Sequence, residues 1–245
     1  MSSVNFRKSM KFIIIFALVA AIVLGSSEIA SASEKLVWKK VPLDLDKISQ
    51  NTAVDSSLRV DSNGVLYLAV REYISGQYYH RVYKYDSESM TSWQLIYDVG
   101  PVPAVAGDGM PFAIYNDVPY IIDWENKHVR KYDERSNNWP SIGETTFVPG
   151  TLLGNVGNYS LFVENENSVY VAYTYLLDEA NNIDKVKVSK YDGSSWNEVG
   201  SLDISGTIYY TSVYAEDDTV YVAFNDDVDR IKVYKYSGDS WELMC

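Results

Sequence analysis

One short pattern recurs four times in this chain and constrains its fold more than any other feature. The pattern is Lys-Tyr, then an aspartate or serine, a polar turn and a tryptophan. Repetition at a period of about fifty residues indicates stacked copies of one supersecondary unit. A residue type present in every copy is explained more simply by packing between copies than by chemistry. The copies are Lys84 with Trp93, Lys131 with Trp139, Lys190 with Trp196, and Lys235 with Trp241.

A second feature of each copy is a short apolar run centred on a tyrosine. The aligned tyrosines Tyr67, Tyr120, Tyr170 and Tyr221 are 53, 50 and 51 residues apart. Runs rich in valine and tyrosine and bounded by polar turns are typical of strands buried on both faces. Asn63-Gly64, just before the first run, is a strong hairpin signal. Each unit therefore reads as strand a, tight turn, strand b, variable loop, strand c with Lys-Tyr, turn, and strand d beginning at the tryptophan.

Four-stranded antiparallel units at this period are typical of an all-β fold, the β-propeller. The segment Leu36–Val41 resembles a strand d with no strands before it. We therefore expect about four blades plus an extra N-terminal strand, with an incomplete ring as an open alternative. An incomplete ring would leave strand edges that favour association. The predicted blades span 56–99, 109–143, 158–202 and 207–244.

The third copy carries a resemblance to a known group. Val169–Tyr173 reads VYVAY, and Lys190–Trp196 reads KYDGSSW. These segments resemble the repeats of secreted bacterial β-propeller proteins with blades of the form PYVAY…KVxVxKYDGSSWxxVG. The Asp-to-Trp turn is also loosely similar to Asp-box and kelch turns. The resemblance implies a surface or extracellular binding role, and the repeat itself carries no catalytic residue to transfer.

The N-terminus predicts the compartment. Arg7 and Lys11 precede an apolar run from Phe12 to Leu24, and Ala30-Ser31-Ala32 supplies a small-x-small cleavage pattern. These parts in this order are typical of a secretory signal peptide. A spanning helix needs roughly 20 apolar residues, so retention as a membrane anchor is the weaker alternative. We therefore expect a signal peptide over 1–32, a propeller domain over 33–245, secretion or cell-surface display, and no stable membrane span after cleavage.

Net charge and cysteine content limit the classes of partner that this chain can have. The formal charge is −12, whereas a nucleic-acid-binding surface is basic. The only cysteine is Cys245, so the chain has no internal disulfide. We expect no nucleic-acid partner, and self-association through an open sheet edge or through Cys245.

Candidate ligand residues come from the loops between strands b and c, which vary most between copies. Binding residues concentrate on loops held by a rigid scaffold. The planar rings and the guanidinium of the first two such loops suit a saccharide or a protein ligand. The repeated tryptophans, in contrast, are assigned to packing. The predicted ligand-binding residues are Arg71, Tyr73, Tyr78, Tyr79 and Trp124.

One loop also suggests a hard cation. Asp226, Asp227 and Asp229 lie close together in the fourth copy, and carboxylate oxygens suit calcium. The spacing of an EF-hand loop is absent, so calcium stands as an alternative to an ordinary acidic turn. His80 and His128 are the only histidines, and the sequence indicates no other cofactor.

The chain lacks the sequence signs of nucleophilic catalysis, since it has no Gly-x-Ser-x-Gly elbow. We therefore predict that it is not an enzyme but a secreted or cell-surface binding module that recognises a saccharide or protein at the loop face. Two alternatives stay open. Glycoside hydrolysis needs only two carboxylates, so a sialidase-like or glycosidase-like propeller enzyme is one. A truncated propeller that acts as an assembly scaffold is the other.

Overall fold

The computed structural model describes residues 52–86, 93–102, 110–148, 156–178, 183–225, 230–238 and 240–244. Within these ranges the regular structure consists entirely of antiparallel β-strands. No helix in the described ranges combines the length and apolar character needed to cross a bilayer. The predicted signal peptide, the Leu36–Val41 strand and Cys245 lie outside the described residues.

The strands form four sheets, each assembled in chain order by antiparallel neighbours. Blade 1 contains β1 (Thr52–Val60), β2 (Leu66–Ile74), β3 (Gln77–Tyr85) and β4 (Gln94–Val102), and blade 2 contains β5 (Phe112–Tyr115), β6 (Val118–Asp123) and β7 (His128–Lys131). Blade 3 contains β8 (Val156–Asn165), β9 (Ser168–Asp178), β10 (Ile183–Tyr191) and β11 (Trp196–Ser205), and blade 4 contains β12 (Tyr210–Glu216), β13 (Thr219–Asn225), β14 (Ile231–Tyr236) and β15 (Trp241–Leu243). The all-β propeller prediction is confirmed.

Blade 2 departs from the four-stranded pattern at its outer edge. Where a strand d was expected, the chain forms only isolated bridges, between Arg130 and Ser141 and between Asp133 and Asn138. The Lys131 backbone N–H donates to the Pro140 carbonyl at 3.1 Å. Pro140 has no backbone N–H to donate back to β7, so a regular ladder of hydrogen bonds cannot continue through it.

The a–b turns explain why acidic and asparagine residues precede each strand b. Asn116 and Asp117 have φ values of 49° and 63°, and Asp217 and Asp218 have 51° and 61°. Two consecutive residues with positive φ are the mark of a type I′ hairpin, which favours asparagine, aspartate and glycine. These turns therefore match the right-handed twist of the strands they join.

Alternation along the strands gives each blade two apolar faces. We call the face that carries Tyr67 and Ala69 in blade 1 the forward face, because it packs on blade 2. The opposite face, with Leu68 and Val70, is the rear face. The equivalent forward tyrosines of blades 2 and 3, Tyr120 and Tyr170, are also buried. Since β1, β5, β8 and β12 lie side by side at the centre, the blades follow one another radially.

Three of the repeated tryptophans, Trp139, Trp196 and Trp241, lie at interfaces with the preceding blade, and Trp93 lies on the rear face of blade 1. Each ring packs at 5.1–5.5 Å from the tyrosine of its own Lys-Tyr pair. The Trp139 indole N–H also donates to the Ile96 carbonyl of blade 1 at 2.8 Å, and Trp196 donates to the Ile142 carbonyl of blade 2 at 3.3 Å. Both acceptors lie three residues after the tryptophan of the preceding blade. Trp139 and Trp196 therefore join successive blades, as the sequence predicted.

Two of the repeated lysines, Lys84 and Lys190, form ion pairs with the next blade. Lys84 contacts Glu134 of blade 2 at 2.5 Å, and Lys190 contacts Asp218 of blade 4 at 3.1 Å. Exposed pairs of this kind contribute only about 0–1 kcal/mol.

Replacing Trp139 with Phe should lower the free energy of unfolding more than replacing Trp241 with Phe, by about 1 kcal/mol. Both changes remove ring area at a blade interface, but only Trp139 donates its indole N–H to a carbonyl, since the Trp241 nitrogen has no hydrogen-bond partner among the described residues. Urea unfolding followed by circular dichroism measures the difference. Equal losses in the two variants would show that the hydrogen bond contributes nothing.

Candidate functional site

Three of the five predicted ligand residues lie together at the b–c end of the fold. The Arg71 guanidinium lies 5.3 Å from the Tyr78 ring centre and 5.5 Å from that of Trp124. It also contacts the Asp55 carboxylate at 2.5 Å. We call these residues, together with His80, the Arg71 cluster. Its side chains come from blades 1 and 2.

Tyr73 and Tyr79 are placed differently with respect to this cluster. Tyr73 is 43% exposed and lies 4.9 Å from Tyr78, so it borders the cluster on the solvent side. Tyr79 is directly opposite Glu72 in the sheet, on the rear face, and its ring lies 5.6 Å from the Arg81 guanidinium. Of the predicted set, Tyr73 presents the most open ring.

His80 and Trp124 are the enclosed part of the cluster. They are 2% and 3% exposed, and their rings meet edge to face at 4.6 Å. Neither His80 Nε2 nor Trp124 Nε1 has a hydrogen-bond partner among the described residues. Burial, reinforced by the Arg71 charge, lowers the pKa of His80 to about 4. The imidazole is therefore neutral at physiological pH and does not repel Arg71.

A second group of charges supports the Trp124 loop. Asp123 accepts hydrogen bonds from Arg130 Nε at 2.9 Å and from the Asn126 backbone N–H at 3.1 Å. Burial alone would raise the pKa of Asp123, but these donors hold it below its ordinary value. Lys127 donates to the Trp124 carbonyl and lies 5.3 Å from the Tyr159 ring of blade 3. The loop is thus fixed to the blades on both sides.

The inner strands β1, β5 and β8 line a space that we call the channel, and its a–b end, opposite the Arg71 cluster, contains an open cavity of about 490 Å³. Its walls come from the inner strands β1, β5 and β8, and its rim comes from the a–b turns of blades 1 and 2. The volume falls within the range typical of small-molecule sites. The apolar wall is formed by Val60, Phe112, Ile114, Leu161, Phe162 and Val163, and the polar rim by Arg59, Asp61, Ser62, Asn116 and Asp117.

Two carboxylates at the rim of this cavity accept hydrogen bonds from the same turn of blade 1. Asp117 accepts from the Ser62 backbone N–H at 2.7 Å, the Ser62 hydroxyl at 2.8 Å and the Asn63 side chain at 3.2 Å. Asp61 accepts from the backbone N–H groups of Asn63 and Val65, both at 2.9 Å. Asn63 therefore contacts both carboxylates: its backbone N–H donates to Asp61, and its side-chain amide donates to Asp117.

The surroundings move the pKa values of these carboxylates in opposite directions. Burial raises the pKa of Asp61, which is 8% exposed, and the nearby charge of Asp117 adds to the effect. Hydrogen bonds from Ser62 lower the pKa of Asp117. A pair of titratable groups whose pKa values are pushed apart can divide the roles of acid and base between them.

The predicted calcium ligands Asp226, Asp227 and Asp229 lie outside the described residues. Across the residues that are described, no group of three or more His, Cys, Asp or Glu side chains is arranged to hold a metal ion.

Sequence reasoning missed both the buried partners of Arg71 and the whole cavity rim. Asp55 and His80 belong to strands rather than loops, and only the register of β1, β2 and β3 brings them beside Arg71. Asp61 and Asp117 belong to a–b turns, whereas the ligand residues predicted from the sequence came from the b–c loops. That both residues lie in a–b turns of successive blades was the available signal.

Comparison with known proteins shows a likeness to solved structures alone. No family model and no curated protein matches the chain. It is similar to an endo-arabinase from Bacteroides thetaiotaomicron, at 13% identity and a TM-score of 0.44, over 80% of this chain and 82% of that one. It is similar to the catalytic domain of a GH62 α-L-arabinofuranosidase from Coprinopsis cinerea, at 11% and 0.45, over 81% and 69%. A Trypanosoma rangeli sialidase in complex with sialic acid gives 15% and 0.45, over 75% and 29%.

These neighbours correct one prediction made from the sequence. The chain was predicted not to be an enzyme, whereas the solved structures that resemble it are named as an arabinase, an arabinofuranosidase and a sialidase. The non-enzyme prediction is therefore wrong on this comparison. At such low identity the likeness extends to the fold alone, and nothing in it bears on the particular repeat type that the sequence resembles.

The enclosed state of His80 gives a testable pH dependence. Because its pKa is about 4 in the folded protein and near 6.5 when unfolded, the unfolded state gains a proton first as the pH falls. Between pH 7 and pH 5 the wild type should lose about 2 kcal/mol of unfolding free energy more than a His80→Asn variant. Urea unfolding at the two pH values measures this loss. Identical pH dependence in both proteins would contradict the placement of His80.

Proposed function

We propose that this protein is a glycan-cleaving β-propeller enzyme whose reaction takes place in the 490 Å³ cavity at the a–b end of the channel. The observation that carries the proposal is the Asp61–Asp117 pair. Glycoside hydrolysis requires one carboxylic acid that protonates the leaving oxygen and one carboxylate that assists attack on the anomeric carbon.

The two aspartates fit these roles by their surroundings. Asp61 is buried with a raised pKa and therefore suits the proton donor. Asp117 is more accessible, carries a lowered pKa and suits the ionised partner. Asn63 contacts both carboxylates and so holds them at the same rim of the cavity.

The cavity walls suit a sugar ring. Phe162 contributes aromatic surface, and Arg59 and Asn116 lie at the rim where hydroxyl groups would need donors and acceptors. Aromatic rings with a few placed polar groups are typical of ligand sites.

The loops at the b–c end have a separate place in the proposal. Saccharide contact by Arg71, Tyr73, Tyr78, Tyr79 and Trp124 stays a prediction, with Tyr73 as its most exposed ring. Secretion or cell-surface display, where polymeric glycans are available, also stays a prediction from the N-terminal sequence. The carboxylate pair lies at the other end of the channel, so the two sites are separable by substitution.

Asp61→Asn and Asp117→Asn should each reduce hydrolysis of the best substrate at least about 100-fold. Asp203→Asn is the matched control, because Asp203 lies on the outer strand β11, where it pairs with Lys185. Reducing-sugar release from a panel of arabinan, galactan and sialylated glycans is the assay. Unfolding curves of all variants identify any loss caused by misfolding.

The activity should fall as the pH rises above the raised pKa of Asp61, because the proton donor is then ionised. It should fall again when Asp117 becomes protonated at low pH. Full activity of both aspartate variants, or no cleavage of any glycan by the wild type, would contradict the proposal.

A further inference from the structure

The two end blades each present an apolar face that no other blade covers among the described residues. On the forward face of blade 4, Tyr210 is 52% exposed, Tyr214 is 42% exposed and Ile231 is 73% exposed. Tyr221 is half-buried there, whereas its equivalents in blades 1 to 3 are at most 3% exposed. A hollow of about 390 Å³ lies over this face between Tyr210 and Ile231.

The rear face of blade 1 is the other open face. Leu58 and Leu95 are 48% and 41% exposed, and they lie opposite Leu68 and Tyr83 in the sheet. Trp93 packs over the same apolar group. In blades 2 and 3, the corresponding tryptophans, Trp139 and Trp196, contact the blade before them.

Within the described ranges, the Trp93 indole lacks the interblade hydrogen bond that Trp139 and Trp196 form. Its N–H is buried and has no acceptor among the described residues. Trp139 and Trp196 each donate to the carbonyl that lies three residues after the tryptophan of the preceding blade.

Lys235 supplies half of an interblade ion pair. It is the blade 4 equivalent of Lys84 and Lys190, both of which contact an acidic residue of the following blade. Lys235 forms no ion pair within the described part of the chain. It lies opposite Tyr221 and therefore points from the forward face.

We propose that a second copy of this chain covers these faces, with the rear face of blade 1 of one copy seated on the forward face of blade 4 of the next. The chain carries one face of each kind that pack on each other between its own blades, and a lysine whose equivalents Lys84 and Lys190 pair across such interfaces. The arrangement repeats the packing of a forward face on a rear face that joins successive blades inside the chain. The contact is heterologous, since different surfaces of the two copies meet.

This association differs from pairing of sheet edges or a disulfide through Cys245, because the blades stack face to face. It is also independent of the proposed glycan cleavage, since neither face includes Asp61 or Asp117. A loss of assembly and a loss of hydrolysis would therefore be observed separately.

Sedimentation velocity of the purified protein over a range of concentrations, with a reducing agent present, tests the proposal. The wild type should form a species larger than the monomer. Ile231→Lys should raise its dissociation constant at least tenfold, because Ile231 is on the forward face. Leu243→Lys is the matched control: Leu243 is 55% exposed in the same sheet, but it pairs with Tyr234 and so shares the opposite face.

Mixing two deficient variants distinguishes head-to-tail contact from a symmetric dimer. Ile231→Lys keeps an intact blade 1 face, and Leu58→Lys keeps an intact blade 4 face. Each variant alone should be monomeric, and their mixture should form a one-to-one heterodimer. A wild type that stays monomeric at all concentrations, or variants that assemble as well as the wild type, would overturn the proposal.

Discussion

The contact on which the rest of this structure depends is the one between a tryptophan and the blade before it. The ring packs on the tyrosine of its own Lys-Tyr pair, and the indole N–H of Trp139 or Trp196 reaches a carbonyl of the preceding blade. A sheet with two apolar faces cannot be stable alone in water, because both faces must be covered. The tryptophan meets this need at each interface and sets the spacing between blades. Everything at the channel, including the cavity rim, is positioned by that spacing.

Much of the fold was predictable from the sequence because the constraint is repeated. Tyr67, Tyr120, Tyr170 and Tyr221 mark equivalent strands, and strand alternation then assigns each neighbouring residue to one face. The outer edge of blade 2 was less predictable. Pro140 follows Trp139 directly and limits the last strand to isolated bridges, which is a local effect that the repeat pattern does not contain.

The candidate site was less accessible to sequence reasoning, for a physical reason. Loop composition indicated Arg71, Tyr78 and Trp124, and the structure does bring these three together. The cavity depends instead on turns and inner strands far apart in the chain, such as Asp61, Asp117 and Leu161. Burial and shared donors give Asp61 and Asp117 their opposite pKa shifts, and neither property is visible in residue types alone. The glycosidase alternative had the same limit, because residue types alone do not select one carboxylate pair from the 33 acidic residues of the chain.

The interblade hydrogen bond is tested most directly by hydrogen exchange of the indole N–H protons, followed by NMR under native conditions. The account predicts that the protons of Trp139 and Trp196 exchange only through global unfolding, with a free energy of exchange equal to that measured by urea. Exchange of either proton at the rate of an exposed indole would contradict the claim that these residues join the blades.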